Sequence, residues 1–328
     1  MRNFISAPLV VAFLFVSFSA QAFSISGDGK SASISFLTYN LWGAPFAKKR
    51  KQRFPRAAEK IAEVGADIVA LEEVFEGCLV PNEPKYILRG TQYPYYVEGP
   101  MSKKFPRCVD SGLMILSKFP IQERAEVKYK SCAGADCFSH KGVVYARIQV
   151  PVLGDIDVYA THTNASDKHA DVRLKQTKQI VDFVRQHSGD GKRPVVFMGD
   201  LNAAPDSEEI RMLRDELSFR DSHQEFVETH VVTQTEYDGF TCDPLRNANL
   251  FSRPHQGRKR IDYIFVRDPD GFNSPVEIAK SRMMFEERGY RNRQLSDHFG
   301  VISNLEIRVD SPFVRGELYG SARSTVNQ

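Results

Sequence analysis

Seven short segments, in a fixed order, each set polar residues at the end of an apolar run. They are Thr38-Tyr39-Asn40-Leu41-Trp42, Leu71-Glu72-Glu73-Val74, Ser111-Gly112-Leu113-Met114-Ile115-Leu116-Ser117, Thr161-His162-Thr163-Asn164, Gly199-Asp200-Leu201-Asn202, Ile261-Asp262-Tyr263-Ile264 and Ser296-Asp297-His298. Short apolar runs of this kind read as buried strands. Polar groups therefore collect at strand ends, where a rigid scaffold fixes side chains better than a free loop. Two packed β-sheets flanked by helices, with one polar cleft along the sheet edges, are the architecture this pattern predicts.

The spacing between the segments fills in the elements. Ser33–Tyr39 reads as a strand, Arg56–Val64 as a helix stopped by Gly65, and Asp67–Leu71 as the next strand. Leu113–Leu116 is a strand, and Gly142–Val150 with Asp155–Ala160 form a hairpin. Asp171–His187 has helical periodicity, and Val195–Met198 is a buried strand. Asp206 and Glu209 offer a capping box to a helix over Ser207–Leu217. Strands over Arg260–Val266 and Gly300–Leu305 carry the last two motifs.

The first residues read as a leader. Arg2 precedes the apolar run Leu9–Val16, and Ala20-Gln21-Ala22 is a small-x-small cleavage site. Such a segment is a secretory signal, too short to span a bilayer. The expected organisation is a signal peptide over 1–22, one catalytic domain over 23–310 and a tail over 311–328. An exported, monomeric protein, extracellular or periplasmic, follows from that reading. The formal net charge of +3 says little about partners. Two local basic runs, Lys48-Lys49-Arg50-Lys51-Gln52-Arg53 and Arg258-Lys259-Arg260, could each meet phosphate or lipid, or simply be solvated surface. Export permits disulfides. Cys132 and Cys137 could close a short loop, Cys78 and Cys108 could pin the segment between the second and third motifs, and Cys242 is left over.

This inventory suits hydrolysis of a phosphate ester. A divalent cation offsets the ester's charge and lowers the pKa of a bound water. Mg²⁺ prefers oxygen ligands and needs only one or two carboxylates. Glu73 is the first candidate ligand, with the Asn40 carbonyl beside it and Asp297 as a further ligand or a brace for His298. Asp200 and Asn202, one residue apart, point to one side of an extended chain. Asp200 then orients a water and Asn202 donates to a phosphoryl oxygen. A plain Asx-turn fits the same residues. His298 is the candidate general base, its tautomer held by Asp262. His162 stabilises the developing charge or helps protonate the leaving oxygen. His169, His187, His223, His230 and His255 are read as structural or exposed.

Taken together, the segments resemble the endonuclease/exonuclease/phosphatase (DNase I-like) superfamily over about three quarters of the chain. The resemblance implies a four-layer α/β sandwich. Within that superfamily the chain looks most like the bacterial neutral sphingomyelinases. Ser139-His140-Lys141-Gly142, Thr161-His162-Thr163-Asn164-Ala165, Glu73-Val74-Phe75 and the Ser111–Ile121 segment are similar to theirs. The resemblance implies hydrolysis of sphingomyelin to ceramide and phosphocholine at a membrane surface. It also implies Mg²⁺ as cofactor, replaceable by Mn²⁺ or Co²⁺, and Lys141, Asn164 and Asn202 at the substrate. A choline head would need an aromatic face, for which Trp42, Tyr129, Phe240 and Tyr263 are candidates.

Two departures from those enzymes stand out. Val109-Asp110 replaces a Glu-Asp pair, so one acid of an edge metal site is missing. The Met283–Tyr290 segment replaces a long membrane-inserting hairpin and is shorter and more charged. The competing expectations are a secreted nuclease with the same catalytic set, a phosphatase or phospholipase C on another head group, and a catalytically dead binding module.

Overall fold

A computed structural model describes residues 23–308 except 28–30, 45–46, 78–81, 102–108, 231–237, 252–253 and 271–275. The leader, the tail, Cys78 and Cys108 lie outside the described residues. The strands are β1 (Ser24–Ile25), β2 (Ser31–Asn40), β3 (Ile68–Glu72), β4 (Tyr95–Glu98), β5 (Met114–Ser117), β6 (Ile121–Lys128), β7 (Gly142–Val150), β8 (Gly154–His162), β9 (Val195–Asp200), β10 (Arg220–Asp221), β11 (Asp262–Arg267), β12 (Val276–Met284) and β13 (Gly300–Arg308). The helices are α1 (Arg50–Val64), α2 (Pro84–Thr91), α3 (Ala170–Ser188), α4 (Glu208–Leu217) and α5 (Ser222–Thr229).

The strands form two sheets. A seven-stranded sheet runs β12-β13-β2-β3-β5-β4 with β1 paired to β2, and a six-stranded sheet runs β10-β11-β9-β8-β7-β6. Each sheet is mixed and contains one parallel pair, β2 with β3 and β8 with β9. Each parallel pair is joined by a helix, α1 and α3 respectively, as parallel strands require a crossover.

Alternation along the strands builds the layers. Ile34, Phe36, Ile68, Ala70, Val158, Ala160, Val196, Met198, Ile264 and Val266 share the apolar layer between the sheets. The opposite faces bury Leu37, Tyr39, Val69 and Leu71 against Phe54, Ala58 and Ile61 of α1 and Ile87 of α2. On the other side Tyr145, Tyr159, Phe197 and Phe265 pack on Ile180 and Val184 of α3 and Ile210 and Leu213 of α4. The result is helix, sheet, sheet, helix, the expected sandwich. No helix among the described residues is long and apolar enough to cross a membrane.

Several boundaries differ from the sequence expectation. Helix α1 starts at Arg50, not Arg56, because Arg53 and Phe54 are buried within what reads as a solvated basic run. Helix α4 is capped by Ser207, whose hydroxyl accepts from the Ile210 N–H at 3.3 Å, and not by Asp206. In the Met283–Tyr290 segment, Met283 and Met284 end β12, and Phe285 is buried and stacked on Tyr39 at 4.6 Å. Those apolar residues belong to the core and are not available to a membrane. A disulfide joins Cys132 and Cys137, and Cys242 is a free thiol.

Candidate active site

The period of two carries the inter-sheet face of each strand to its end. Following Ile34 and Phe36 along β2 leads to Thr38 and Asn40. Ile68 and Ala70 lead to Glu72, Val158 and Ala160 to His162, and Val196 and Met198 to Asp200. On β11, Val266 and Ile264 lead back to Asp262. Asn40 lies opposite Glu72 in register, His162 opposite Asp200, and Asp200 opposite Asp262. The same strand faces that fill the apolar layer thus end in one polar cluster. It lies at the carboxyl ends of both parallel pairs, where open α/β sheets commonly bind ligands.

Asp200 is the hub. Its Oδ2 accepts from Asn40 Nδ2 at 3.0 Å and lies 3.5 Å from His162 Nε2 and 3.9 Å from His298 Nε2. His298 Nδ1 meets Asp262 Oδ2 at 2.9 Å, the tautomer-holding contact the sequence suggested. Asn40 Nδ2 also reaches Glu73 Oε1 at 3.3 Å, and Glu73 Oε2 accepts from the Ala44 N–H at 3.0 Å. Asn40, Glu73, His162, Asp200, Asp262 and His298 therefore converge from distant parts of the chain. Asp297 is next to His298, and the Ser296 hydroxyl, which donates to Asn40 O at 2.6 Å, ties this end to β2.

Lys141 is buried in the same cluster. Its Nζ donates to His162 Nε2 at 2.9 Å and to Thr163 O at 2.9 Å, and pairs with Asp136 at 3.0 Å. Burial, reinforced by Lys141 and His298, holds His162 well below the ordinary imidazole value. His162 is therefore neutral, and the fixed positive charge in this corner is Lys141.

Two other expectations need correction. The Asp200 to Asn202 stretch is not extended. Asn202 has φ 46°, and its N–H donates to Asp200 Oδ1 at 2.9 Å, the geometry of an Asx-turn. The Asn202 side chain reaches only Thr163 O, at 3.4 Å. Asn164 is buried with its amide committed: Oδ1 accepts from the Ala133 N–H at 2.8 Å and Nδ2 donates to Ala165 O at 2.9 Å. It braces the Cys132–Cys137 loop.

The aromatic candidates are also occupied. Tyr129 and Tyr263 are buried in the outer core with their hydroxyls bonded to Thr161 and to Ala203 O. Trp42 carries the Arg53 guanidinium 4.8 Å from its ring centroid, and Phe240 carries Arg258 at 4.2 Å. Asp110 Oδ1 accepts from two backbone N–H groups, of Glu76 and Gly112.

Glu72 was missed by sequence reasoning. It is 0 % exposed, and its Oε1 accepts from the Thr38 hydroxyl at 2.8 Å, while Oε2 has no partner among the described residues. Burial, then the charge of Asp262, pushes it well above the usual carboxyl range. The signal was the strand period itself, which puts position 72 on the Ile68 and Ala70 face.

Electrostatics fit a cation. Burial, then Asp262, raises Asp200 to about 7, with His298 and Lys141 pulling it back. Burial raises Asp297 to about 6, with Glu73 adding to the rise and His298 opposing it. Asp200, Asp262 and His298 present ligand atoms within 4.8 Å of one another, and Asp262 Oδ1 is buried with no hydrogen-bond partner among the described residues. Crowded carboxylates with an unpartnered oxygen are a donor set for a small hard dication. Glu73 and Asp297 border it with further carboxylates, while Asn40, expected to offer its carbonyl, turns Nδ2 to Asp200 and Glu73 and Oδ1 to the Trp42 N–H.

Burial alone would lower His298, but Asp262, Asp200 and Asp297 outweigh it and hold the imidazole well above its ordinary value. The contact therefore stabilises the folded chain fully below the unfolded value of about 6.5 and fades as pH rises through the raised folded value. In metal-free protein followed by NMR, the His298 titration is expected above that value, and Asp262→Asn should lower it by roughly one unit or more. An unmoved titration would remove Asp262 as the cause.

This fold and cluster place the chain in a known class: it belongs to the Endonuclease/Exonuclease/phosphatase family, whose pattern matches residues 37–298. It is 26% identical to human Sphingomyelin phosphodiesterase 2 over 300 residues, covering 86% of this chain and 66% of that protein. It is 24% identical to Sphingomyelinase C of Bacillus cereus over 273 residues, 74% of this chain and 78% of that one. Against Phospholipase C of Staphylococcus aureus, at 29% identity, it spans 46% of the relative's length. The structure of Sphingomyelinase C from Streptomyces griseocarneus superposes with a TM-score of 0.63 at 21% identity, covering 83% of this chain and 99% of that one. Staphylococcus aureus beta toxin with bound magnesium ions gives 0.62 at 21% identity, over 83% and 99% of the two chains.

Proposed function

We propose that the protein is an exported, divalent-metal-dependent phosphodiesterase that hydrolyses sphingomyelin to ceramide and phosphocholine, working as a monomer in peripheral contact with the bilayer. The observation that carries the reading is the buried Asn40–Asp200–His162–His298–Asp262 cluster. The sphingomyelinase relatives supply the lipid class. Mg²⁺, held by carboxylates drawn from Glu73, Asp297, Asp200 and Asp262, would neutralise charge on the ester and lower the pKa of a bound water.

The chain's own residues account for the rest. In metal-free protein Asp262, Asp200 and Asp297 favour the charged imidazole; with their charge offset by a bound dication, His298 Nε2 would take the proton of the attacking water while Asp262 holds Nδ1. The water oxygen bonds to phosphorus, the bond from phosphorus to the ceramide oxygen breaks, and that oxygen takes a proton from solvent while the one held at His298 Nε2 returns to solvent. Lys141 opposes the charge that develops there, and His162 is held against it as a neutral imidazole.

The test is a parallel assay on sphingomyelin, phosphatidylcholine and plasmid DNA. With Mg²⁺, phosphocholine release from sphingomyelin is expected. A strong chelator should abolish it, and added Mg²⁺, or Mn²⁺ or Co²⁺ in its place, should restore it. Turnover that survives the chelator would end the metal reading. Nicking of the plasmid without lipid turnover, steeply weakened by salt, would replace the lipid reading with a nuclease.

A further inference from the structure

A cavity of about 830 Å³ opens beside the catalytic cluster, a size typical of a ligand site. Trp42 and Gln294 belong to its wall. The Trp42 N–H donates to Asn40 Oδ1 at 2.9 Å, and Gln294 lies on the segment that leads into Asp297 and His298. Among the described residues lining it, Lys48, Lys49, Arg53, Arg288, Arg291 and Arg293 are cationic and none is acidic.

The two basic runs of the sequence part company here. Arg258 pairs with Asp238 and Asp243, Lys259 with Asp167 at 2.7 Å, and Arg260 with Asp221 at 2.7 Å. In the first run Arg50 pairs with Glu83 at 3.3 Å, but Lys48 and Lys49, like Arg288 and Arg293, make no ion pair among the described residues. Lys48 and Lys49 also precede the first turn of α1, which holds no acid, so their charge adds to the positive end of the helix. Helix stability alone would favour the opposite sign there.

The backbone around the cavity is strained as well. Trp42, Lys49, Arg291 and Asn292 have φ between 51° and 58°, unfavourable for residues with a side chain. At the cavity wall Phe251 is 46% exposed, with the Arg288 guanidinium 5.1 Å from its ring centroid.

We propose that this cavity is an anion subsite that takes the phosphate head of an acidic phospholipid beside the ester being cut. The unpaired cations meet the phosphate, and the exposed Phe251 meets the lipid boundary. The inference rests on the lipid reading above only for its choice of partner.

The experiment is flotation of the protein with vesicles of phosphatidylcholine, with and without phosphatidylglycerol, in chelator so that turnover plays no part. Binding is expected to require phosphatidylglycerol. The pair Lys48→Gln with Arg288→Gln, both exposed, should weaken it about thirtyfold, at roughly fivefold per charge. The pair Arg124→Gln with Lys259→Gln removes equal charge elsewhere and should leave it unchanged. Equal weakening by both pairs would reduce the effect to net charge and overturn the subsite. Binding indifferent to phosphatidylglycerol would overturn it too. A single-stranded oligonucleotide that binds where acidic vesicles do not, and is lost in the first pair, would overturn the lipid assignment. Sphingomyelin is absent from these vesicles, so failure of the proposed hydrolysis cannot mimic failure of the subsite.

Discussion

Replacing His298 with alanine is expected to lower kcat on the phosphodiester substrate by about 10²–10⁴-fold, with KM little changed. The imidazole is 8 % exposed, held at Nδ1 by Asp262, with Nε2 3.9 Å from Asp200. No other imidazole in the cluster can take over, because His162 Nε2 is already occupied by the Lys141 ammonium. Removing the ring also leaves two buried carboxylates without it, so the variant is compared with His298→Asn, which keeps a polar group in the space. Steady-state kinetics and circular dichroism on both variants decide the matter. A residue that merely props the fold would lower the melting temperature and leave turnover per folded molecule intact. Wild-type turnover in either variant would remove His298 as the base.

The second large effect is on folding. Gly199 has φ 138°, and a Cβ built on it would lie 2.0 Å from Thr161 O, the backbone of the strand it pairs with. Thermal unfolding of Gly199→Ala is expected to show a loss of about 4 kcal/mol or more, a melting point lower by on the order of 10 °C. The neighbour displaced with it is Asp200, so the surviving folded fraction should also turn over poorly. Gly65→Ala is the control. Gly65 also has a positive φ, 62°, but its Cβ would meet nothing closer than 3.6 Å, so only the backbone cost of about 1 kcal/mol is expected. Equal losses for the two would mean that the clash across β8 and β9 is not the cause.

Much of this site was legible in the order of polar strand ends. Asn40, His162, Asp200, Asp262 and His298 stand where their apolar runs deliver them. The run that carries each is short and bounded, so its end is visible without tertiary information. The failures have a common physical source. A strand buried on both faces, as β3 is, gives no contrast between its faces, so nothing local sets Glu72 apart from Glu73. Whether a chain stays extended past Asp200 depends on the Asx-turn that Asn202 closes, and the same residues fit either state. The basic run before Arg56 hides the first turns of α1 because Arg53 is buried by contacts from remote carbonyls, Leu41 O and Leu295 O among them. Availability of an aromatic face is likewise a tertiary property: nothing local distinguishes Trp42, covered by an arginine, from an open ring.

The catalytic side chains and the apolar layer share strand faces, and this ties chemistry to the interior. Asn40, His162, Asp200 and Asp262 are each the last tooth of a row filled mainly by apolar side chains of the layer between the sheets. A methyl group lost deep in that row changes how closely the two sheets approach, and the separation of base and acids changes with it. Heritable variation in residues that never meet a substrate is thereby exposed to selection on rate.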